Sequence, residues 1–407
     1  MLKKHRVLFT IITIVLIAIV GIAAIFYARG FKPNIRTGAI GRTGLIVASS
    51  IPTGAQVYVD DRLSAATDSN ITYLDPKKYQ VKIQKDGYTT WQKEVEVKED
   101  LATEVKALLF PLAPEIKPLT TTGATNPVMS PDNQKIVYGV SGPRGGVYIL
   151  QMESRPFPFR QDTKLLAKNT TAFDFAKATY IWNPNSGELI AHFEGVPTAN
   201  ILLDANKTEQ DLRDITASLT STLNSYEQDY QTRTQTLAIT APDEVKSATA
   251  EAQFSVESQS EKSKSANPSP SPKTKTPVNS TLSTLTLTPN PYPTGMMYSP
   301  DEEKILYQNR DKQYKVYDLK TKKEYTLPNF DNFINIAWYP DSEHLVVTQN
   351  GAISIIEKDG TNKVTVFSGK FEGGSVFTHP SGTRIIVLST LFQPEGSAPN
   401  LYSINLR

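Results

Sequence analysis

The sequence predicts a mainly-β chain: an N-terminal transmembrane helix, a small β-sandwich, then a β-propeller of five or six blades carrying a helical and disordered insertion. Three observations lead there. Val7 to Ala28 is an unbroken run of 22 residues without a charge. From 44 to 111, short apolar–polar alternations separated by turn residues show the pattern of half-buried strands. Beyond 118 a proline turn recurs five times, each copy followed by an aliphatic pair five and six residues after the proline.

The first run, VLFTIITIVLIAIVGIAAIFYA, is hydrophobic on every side. As a helix it spans about 33 Å at 1.5 Å per residue, which matches a hydrocarbon core roughly 30 Å thick. Lys3, Lys4, His5 and Arg6 precede it, and Arg29, Lys32 and Arg36 follow. The tighter cluster on the N-terminal side favours an N-inside orientation, with residues 29–407 extracytoplasmic. A signal peptide usually has a shorter apolar region and a small-x-small cleavage site. Phe26-Tyr27-Ala28 supplies no such site and Gly21-Ile22-Ala23 only a weak one, so a retained anchor is expected.

Composition narrows the chemistry. The 407 residues carry 43 basic and 41 acidic side chains, a net charge of +2, so no global field points to nucleic acid. Cysteine is absent, which excludes disulfides, thiolate catalysis and cysteine-ligated metal sites. The four histidines, His5, His192, His344 and His379, argue against a histidine-rich metal site.

Residues 29–43 are short and polar and read as a stalk. Strands are expected at Gly44 to Ala48, around Val57 and Val59, at Tyr79 to Lys85 before the Asp86-Gly87 turn, at Trp91 to Val97 and at Thr103 to Phe110. Ser50-Ile51-Pro52-Thr53-Gly54-Ala55-Gln56-Val57-Tyr58-Val59-Asp60 resembles the opening of a PEGA domain. Leu74 to Tyr79, Lys85-Asp86-Gly87-Tyr88 and Trp91 are similar to that family's later strands. Thr53 replaces the signature glutamate, and Lys78 a common turn glycine; both fall at exposed turn sites. The resemblance covers 44–111. It implies a surface-associated β-sandwich without enzymatic activity, often beside a membrane anchor in bacteria and archaea.

Pro111 to Pro118 is a proline-rich joint that breaks regular structure. The repeat follows: Met129-Ser130-Pro131-Asp132, Trp182-Asn183-Pro184-Asn185, Tyr298-Ser299-Pro300-Asp301, Trp338-Tyr339-Pro340-Asp341 and Thr378-His379-Pro380-Ser381. Each reads as a strand, a turn in which proline takes the first corner, and a second, buried strand. Pro300, Pro340 and Pro380 are 40 residues apart, the length of one four-stranded blade. Within one unit the strand candidates are Ile334 to Trp338, Leu345 to Thr348, Ala352 to Ile356 and Lys363 to Phe367. The repeat resembles the Ser-Pro-Asp-Gly turn of TolB-type and WD-like propellers, although only Ser381-Gly382 keeps the glycine. That resemblance covers about 118–205 and 290–407. The last strand, Asn400 to Leu406, is expected to pair with the start of the domain and close the ring.

From Pro184 to Pro300 the spacing exceeds one blade. Thr208-Glu209-Gln210-Asp211 resembles a capping box. Leu212, Ile215, Leu219, Leu223, Tyr226 and Tyr230 then form a helical stripe, predicting a helix over 208–236 that packs on the propeller. Residues 245–288, rich in Ser, Pro and Lys, are expected to form a disordered loop. The propeller therefore occupies 118–407 with an insertion at 207–289, after the tip and transmembrane helix at 1–28.

No catalytic constellation is legible: there is no Gly-x-Ser-x-Gly elbow, phosphate-cradling loop or His-Glu-x-x-His helix. No catalytic, metal or cofactor-binding residue is assigned, and no small-molecule substrate is identified. His344 and His379 read as turn or packing residues, and Trp182 and Trp338 as blade core. Gly142 to Gly146 reads as a hairpin turn. Asp60, Asp61 and Asp68 lack the spacing of a calcium loop. The expected partners are the lipid bilayer, through residues 7–28, and an envelope protein or cell-wall polymer. The expected function is non-catalytic binding or scaffolding at a prokaryotic cell envelope. The alternatives are a propeller subunit or regulator of an envelope hydrolase or transport complex, and a sensor signalling through a membrane partner.

Overall fold

The computed structural model describes residues 2–28, 31–33, 40–152, 163–195, 198–249, 295–372 and 374–407. The chain divides into two compact units, 1–113 and 114–407. Helix α1 (Leu2–Ala28) opens the first unit, and every residue from Phe9 to Phe26 is exposed, with none of the window buried in protein. The stalk is not wholly irregular. Phe31–Pro33 pairs antiparallel with Ile40–Arg42, because short antiparallel ladders satisfy backbone groups without a core.

The small domain is a two-sheet sandwich. One sheet places Gly44–Ile51 between Ser69–Leu74 and Ala102–Leu108, the latter pairing in parallel. The other runs Arg62–Ala66, Gln56–Val59, Lys78–Gln84 and Trp91–Glu96. Alternate residues point inward, so Ile46, Ala48, Val57, Val81, Ile83, Trp91 and Val105 share one core. Two strands escaped the sequence reading, Arg62–Ala66 and Ser69–Leu74. Both are largely exposed edge strands with little apolar alternation to reveal them. The hairpin between Val59 and Arg62 turns on Asp60 and Asp61, both with positive φ (47° and 62°), as a two-residue hairpin requires.

Among the described residues the second unit holds five four-stranded antiparallel sheets. Blade 1 comprises Thr125–Met129, Lys135–Val140, Gly146–Gln151 and Thr163–Lys168. Blade 2 comprises Thr179–Trp182, Glu188–Phe193, Ala199–Asp204 and Arg213–Asp214. Blade 3 comprises Met296–Tyr298, Lys304–Gln308, Tyr314–Asp318 and Lys323–Thr326. Blade 4 comprises Phe333–Trp338, His344–Gln349, Ala352–Glu357 and Val364–Ser368. Blade 5 takes Val376–Thr378, Arg384–Ser389 and Asn400–Asn405 from the C-terminal part of the chain. Its fourth strand is Ile116–Pro118. The end of the proline-rich joint is thus ordered, because Ile116 and Lys117 find ladder partners in Ile404 and Ser403. That pairing closes the ring and covers the edge of Asn400–Asn405. Ile136, Tyr138 and Leu150 of blade 1 pack with Ile386, Leu388 and Leu401 of blade 5.

Helix α2 (Leu219–Thr240) starts later than the capping-box signal predicts. Residues 209–214 serve the sheets instead. The Glu209 and Gln210 amides donate to Leu165 O and Leu166 O (3.1 and 2.9 Å), and Arg213–Asp214 becomes the outer strand of blade 2. Ladder hydrogen bonds won over the local cap. The stripe itself holds: Leu219, Leu223 and Tyr226 pack on Ile181 and Ile190 of blade 2. Farther along, Leu237 and Ala241 pack with Tyr298, Ile305 and Tyr307 of blade 3. The helix therefore bridges blades 2 and 3. The loop expected over 245–288 begins with ordered chain, since 243–249 is helical and Val245 is fully buried among blade 3 residues. From 250 to 288 that expectation lies outside the described residues.

Candidate interaction surface

The five proline turns form one repeated structure at the junction of the first and second strand of every blade. In blade 3 the Ser299 hydroxyl donates to Asp301 Oδ1 (2.5 Å) and accepts from the Lys304 amide (3.0 Å); Asp301 Oδ1 also accepts from the Glu303 amide (3.1 Å). Blade 1 repeats this with Ser130, Asp132, Lys135 and Gln134. The residue two after the proline has positive φ in all five copies: Asn133, Ser186, Glu302, Ser342 and Gly382. Only the last is glycine, and its neighbour explains why. A Cβ at Gly382 would stand 3.1 Å from the Tyr339 hydroxyl, which donates to Gly382 O.

The same turns join neighbouring blades. Ser186 Oγ accepts from the Asp132 amide (3.0 Å) between blades 1 and 2, and Ser342 Oγ from the Asp301 amide (3.1 Å) between blades 3 and 4. The Trp182 and Trp338 indoles donate to Val128 O and Met297 O of the preceding blade (3.3 and 2.9 Å). Tyr298 holds the corresponding position in blade 3, and its hydroxyl donates to Leu237 O of α2 (2.7 Å).

Charge concentrates between blades 3 and 4. The Lys304 side chain, 4% exposed, meets Asp301 (3.0 Å) and Glu343 (3.2 Å). Lys358 meets Asp318 (3.0 Å) and the other Glu343 oxygen (2.9 Å). Burial pushes Lys304 down, but its hydrogen bond with Asp301 and the charge of Glu343 outweigh that and hold it above its ordinary value. Burial pushes Asp318 up, yet the Thr321 amide and Lys358 hold it low. These groups satisfy one another and order a seam; they are not arranged as an acid and a base around a cleft. Sequence reading missed the network, although a basic residue four after the proline recurs as Lys135, Lys304, His344 and Arg384.

The singled-out histidines lie at these turns. His344 Nδ1 is 2.7 Å from Asp341 Oδ2. His379, 1% exposed, has Nδ1 2.7 Å from Ser381 Oγ and Nε2 3.0 Å from Arg384 Nη2. Arginine only donates, so Nε2 accepts from Arg384, while the Ser381 amide also points at Nδ1 (3.2 Å). Burial, with the Arg384 charge, pushes His379 down to about 4. Among the described residues no group of three or more His, Cys, Asp and Glu is placed to hold a metal ion.

Residues 43–111 match the PEGA domain family. That sandwich is a PEGA domain. No curated protein matches the chain. Similar solved structures include a putative TolB from Agrobacterium tumefaciens, at 12% identity over 67% of this chain and 76% of that one, with a TM-score of 0.21. TolB from Acinetobacter baumannii shows 10% identity over 81% of this chain and 60% of that one, with a TM-score of 0.23. An oligogalacturonate lyase in complex with manganese shows 10% identity over 81% and 86%, with a TM-score of 0.26. The propeller assignment rests on the five sheets and their closure, not on these likenesses.

On the PEGA domain, the three aspartates singled out by sequence are engaged locally. Asp60 pairs with Lys77 (2.8 Å) and accepts from the Gln80 amide (3.0 Å); the Lys77 hydrogen bond holds its carboxyl below the ordinary range. Asp61 lies 3.7 Å from Lys82, and Asp68 accepts from the Ser50 amide (3.2 Å). The outward face of the four-stranded sheet presents Tyr58. Its hydroxyl donates to Gln56 (3.0 Å) and accepts from Gln84 (3.3 Å), while Lys82 lies over the ring at 4.8 Å.

Proposed function

We propose that this chain is a single-pass protein of a prokaryotic cell envelope, N-terminus inside and residues 29–407 extracytoplasmic, acting as a non-catalytic binding or scaffolding protein. The observation that carries the reading is the apolar helix Phe9–Phe26, exposed along its whole length, ahead of a PEGA domain and a closed propeller. A run of exposed Ile, Val and Leu that long is soluble only in lipid. The PEGA domain supports a surface location. The propeller supplies a rigid frame on which loops can recognise an envelope protein or a cell-wall polymer.

The test uses the full chain expressed in a bacterial host. It should remain with membranes after a carbonate wash and be digested by protease added to intact spheroplasts. Release by carbonate rejects the anchor, and protection from protease rejects the orientation. Co-sedimentation of the detergent-solubilised chain with purified sacculi then separates a wall-polymer ligand from a protein partner.

A further inference from the structure

The long connection between the last two C-terminal strands of blade 5, residues 390–399, faces the segment 119–124 that follows the closing strand. Between them lies a groove of about 640 Å³, within the range of roughly 300–1,000 Å³ seen for small-ligand sites. Among the described residues no charged side chain lines it. Its walls offer the hydroxyls and amides of Thr121, Thr122, Gln393, Ser397 and Asn400 together with the rings of Phe392 and Tyr402.

Phe392 is the second observation. It is 82% exposed, the most exposed large hydrophobic among the described residues, and its φ of 57° is one that an aromatic residue adopts only at a cost. Leaving a phenylalanine ring in water forgoes the gain of burying it. The surrounding loop holds it there. The Tyr402 hydroxyl donates to Leu391 O and accepts from Gln393 Nε2 (3.1 Å), while the Leu391 amide donates to Ser389 Oγ (3.2 Å). Ser389 in turn donates to Lys370 O (2.5 Å). The floor is equally fixed: Asn400 Oδ1 accepts from Thr120 Oγ1 and the Gly123 amide, both at 2.9 Å. An exposed ring on a fixed loop, beside a concavity of uncharged donors and acceptors, is the recognition chemistry of a neutral sugar. The ring covers the apolar C–H face of a pyranose, and the amides and hydroxyls exchange hydrogen bonds with its hydroxyl groups.

We infer that this groove binds a neutral oligosaccharide, with Phe392 stacking on one sugar ring and Thr121, Thr122, Gln393 and Ser397 bonding its hydroxyls. The inference deepens the envelope-binding reading by naming a ligand class, and it rests on that reading.

The test is isothermal titration of the full chain in lipid nanodiscs with chitotetraose and maltotetraose, and with trigalacturonate as the charged comparison. One neutral probe should bind saturably, Phe392→Ala should weaken it about tenfold, and Phe392→Trp should retain it. The exposure of Phe392 makes both variants compatible with folding, which circular dichroism checks. Absence of saturable binding by both neutral probes overturns the inference, as does binding that Phe392→Ala leaves unchanged or a preference for trigalacturonate. Binding to sacculi that Phe392→Ala leaves unchanged removes the groove and leaves the envelope reading standing. A chain that fails the membrane and protease assays removes the envelope reading alone.

Discussion

Blades 3 and 4 meet sheet to sheet, whereas blades 2 and 3 are bridged by a helix. At the first seam the Trp338 indole reaches back to Met297 O, Ser342 takes the Asp301 amide, and Lys304 and Lys358 share Glu343. Leu306, Val316, Trp338, Leu345 and Ile356 fill the space between the sheets. At the second, α2 lays one apolar stripe across two blades, and a tyrosine bond to Leu237 O stands where tryptophan bonds occur elsewhere. A sheet seam ties together residues distant in sequence, so opening it disturbs two blades at once. A bridging helix contributes area along a single segment and can loosen by itself.

The comparison is broken most directly at Trp338. Trp338→Ala removes a nearly buried indole and its hydrogen bond, and should cost about 3–5 kcal/mol, seen as a lower denaturant midpoint for the propeller as a whole. Lys304→Met keeps the stem but leaves Asp301 and Glu343 without their shared cation. Because those partners are partly exposed, the expected loss is about 1–2 kcal/mol, below the range for a fully buried pair. Tyr298→Phe, on the helix side, removes the hydroxyl's contacts with Leu237 O and Thr240 Oγ1 and should cost about 1 kcal/mol. Hydrogen exchange distinguishes the two joints. Tyr298→Phe should raise exchange within Leu219–Thr240 and leave the blade 3–4 strands protected; an equal rise in both would show that the helix is part of one cooperative unit.

Much of this architecture was legible because it repeats. The proline turn with its aliphatic pair located the first two strands of every blade, and the four strands expected for blade 4 each fall within about a residue of those observed. What stayed hidden depends on partners far away in sequence. Arg213–Asp214 and Ile116–Pro118 are too short to show periodicity and become strands only because Leu202 and Ile404 stand opposite them. The late start of α2 has the same origin, since a local cap signal at Thr208 lost to backbone bonds with Leu165 and Leu166. The groove beside Phe392 left no trace in the sequence for a similar reason: Thr121 and Gln393 are more than 270 positions apart and meet only when the ring closes.

His379 supplies a finer test of the turn at blade 5, the copy that keeps glycine. It occupies the position held by Ser130, Asn183, Ser299 and Tyr339 in the other blades, and it is the one titratable near neutrality. Its ring is buried against Arg384, with Ser381 on its other nitrogen, so protonation is opposed down to about pH 4, against an ordinary value of 6.5. The unfolded chain therefore binds the proton first. Stability contributed by the neutral ring is fully present above pH 6.5 and is lost as pH falls from there toward 4. His379→Gln lacks this group, so the wild-type-minus-variant difference in urea midpoint should be flat above neutrality and decline through that window. Asp301, Asp318 and Asp341, held below their ordinary values, titrate in both proteins and cancel from the difference. Parallel curves across the window would mean that the folded protein accommodates the imidazolium, with Arg384 swinging away from Nε2.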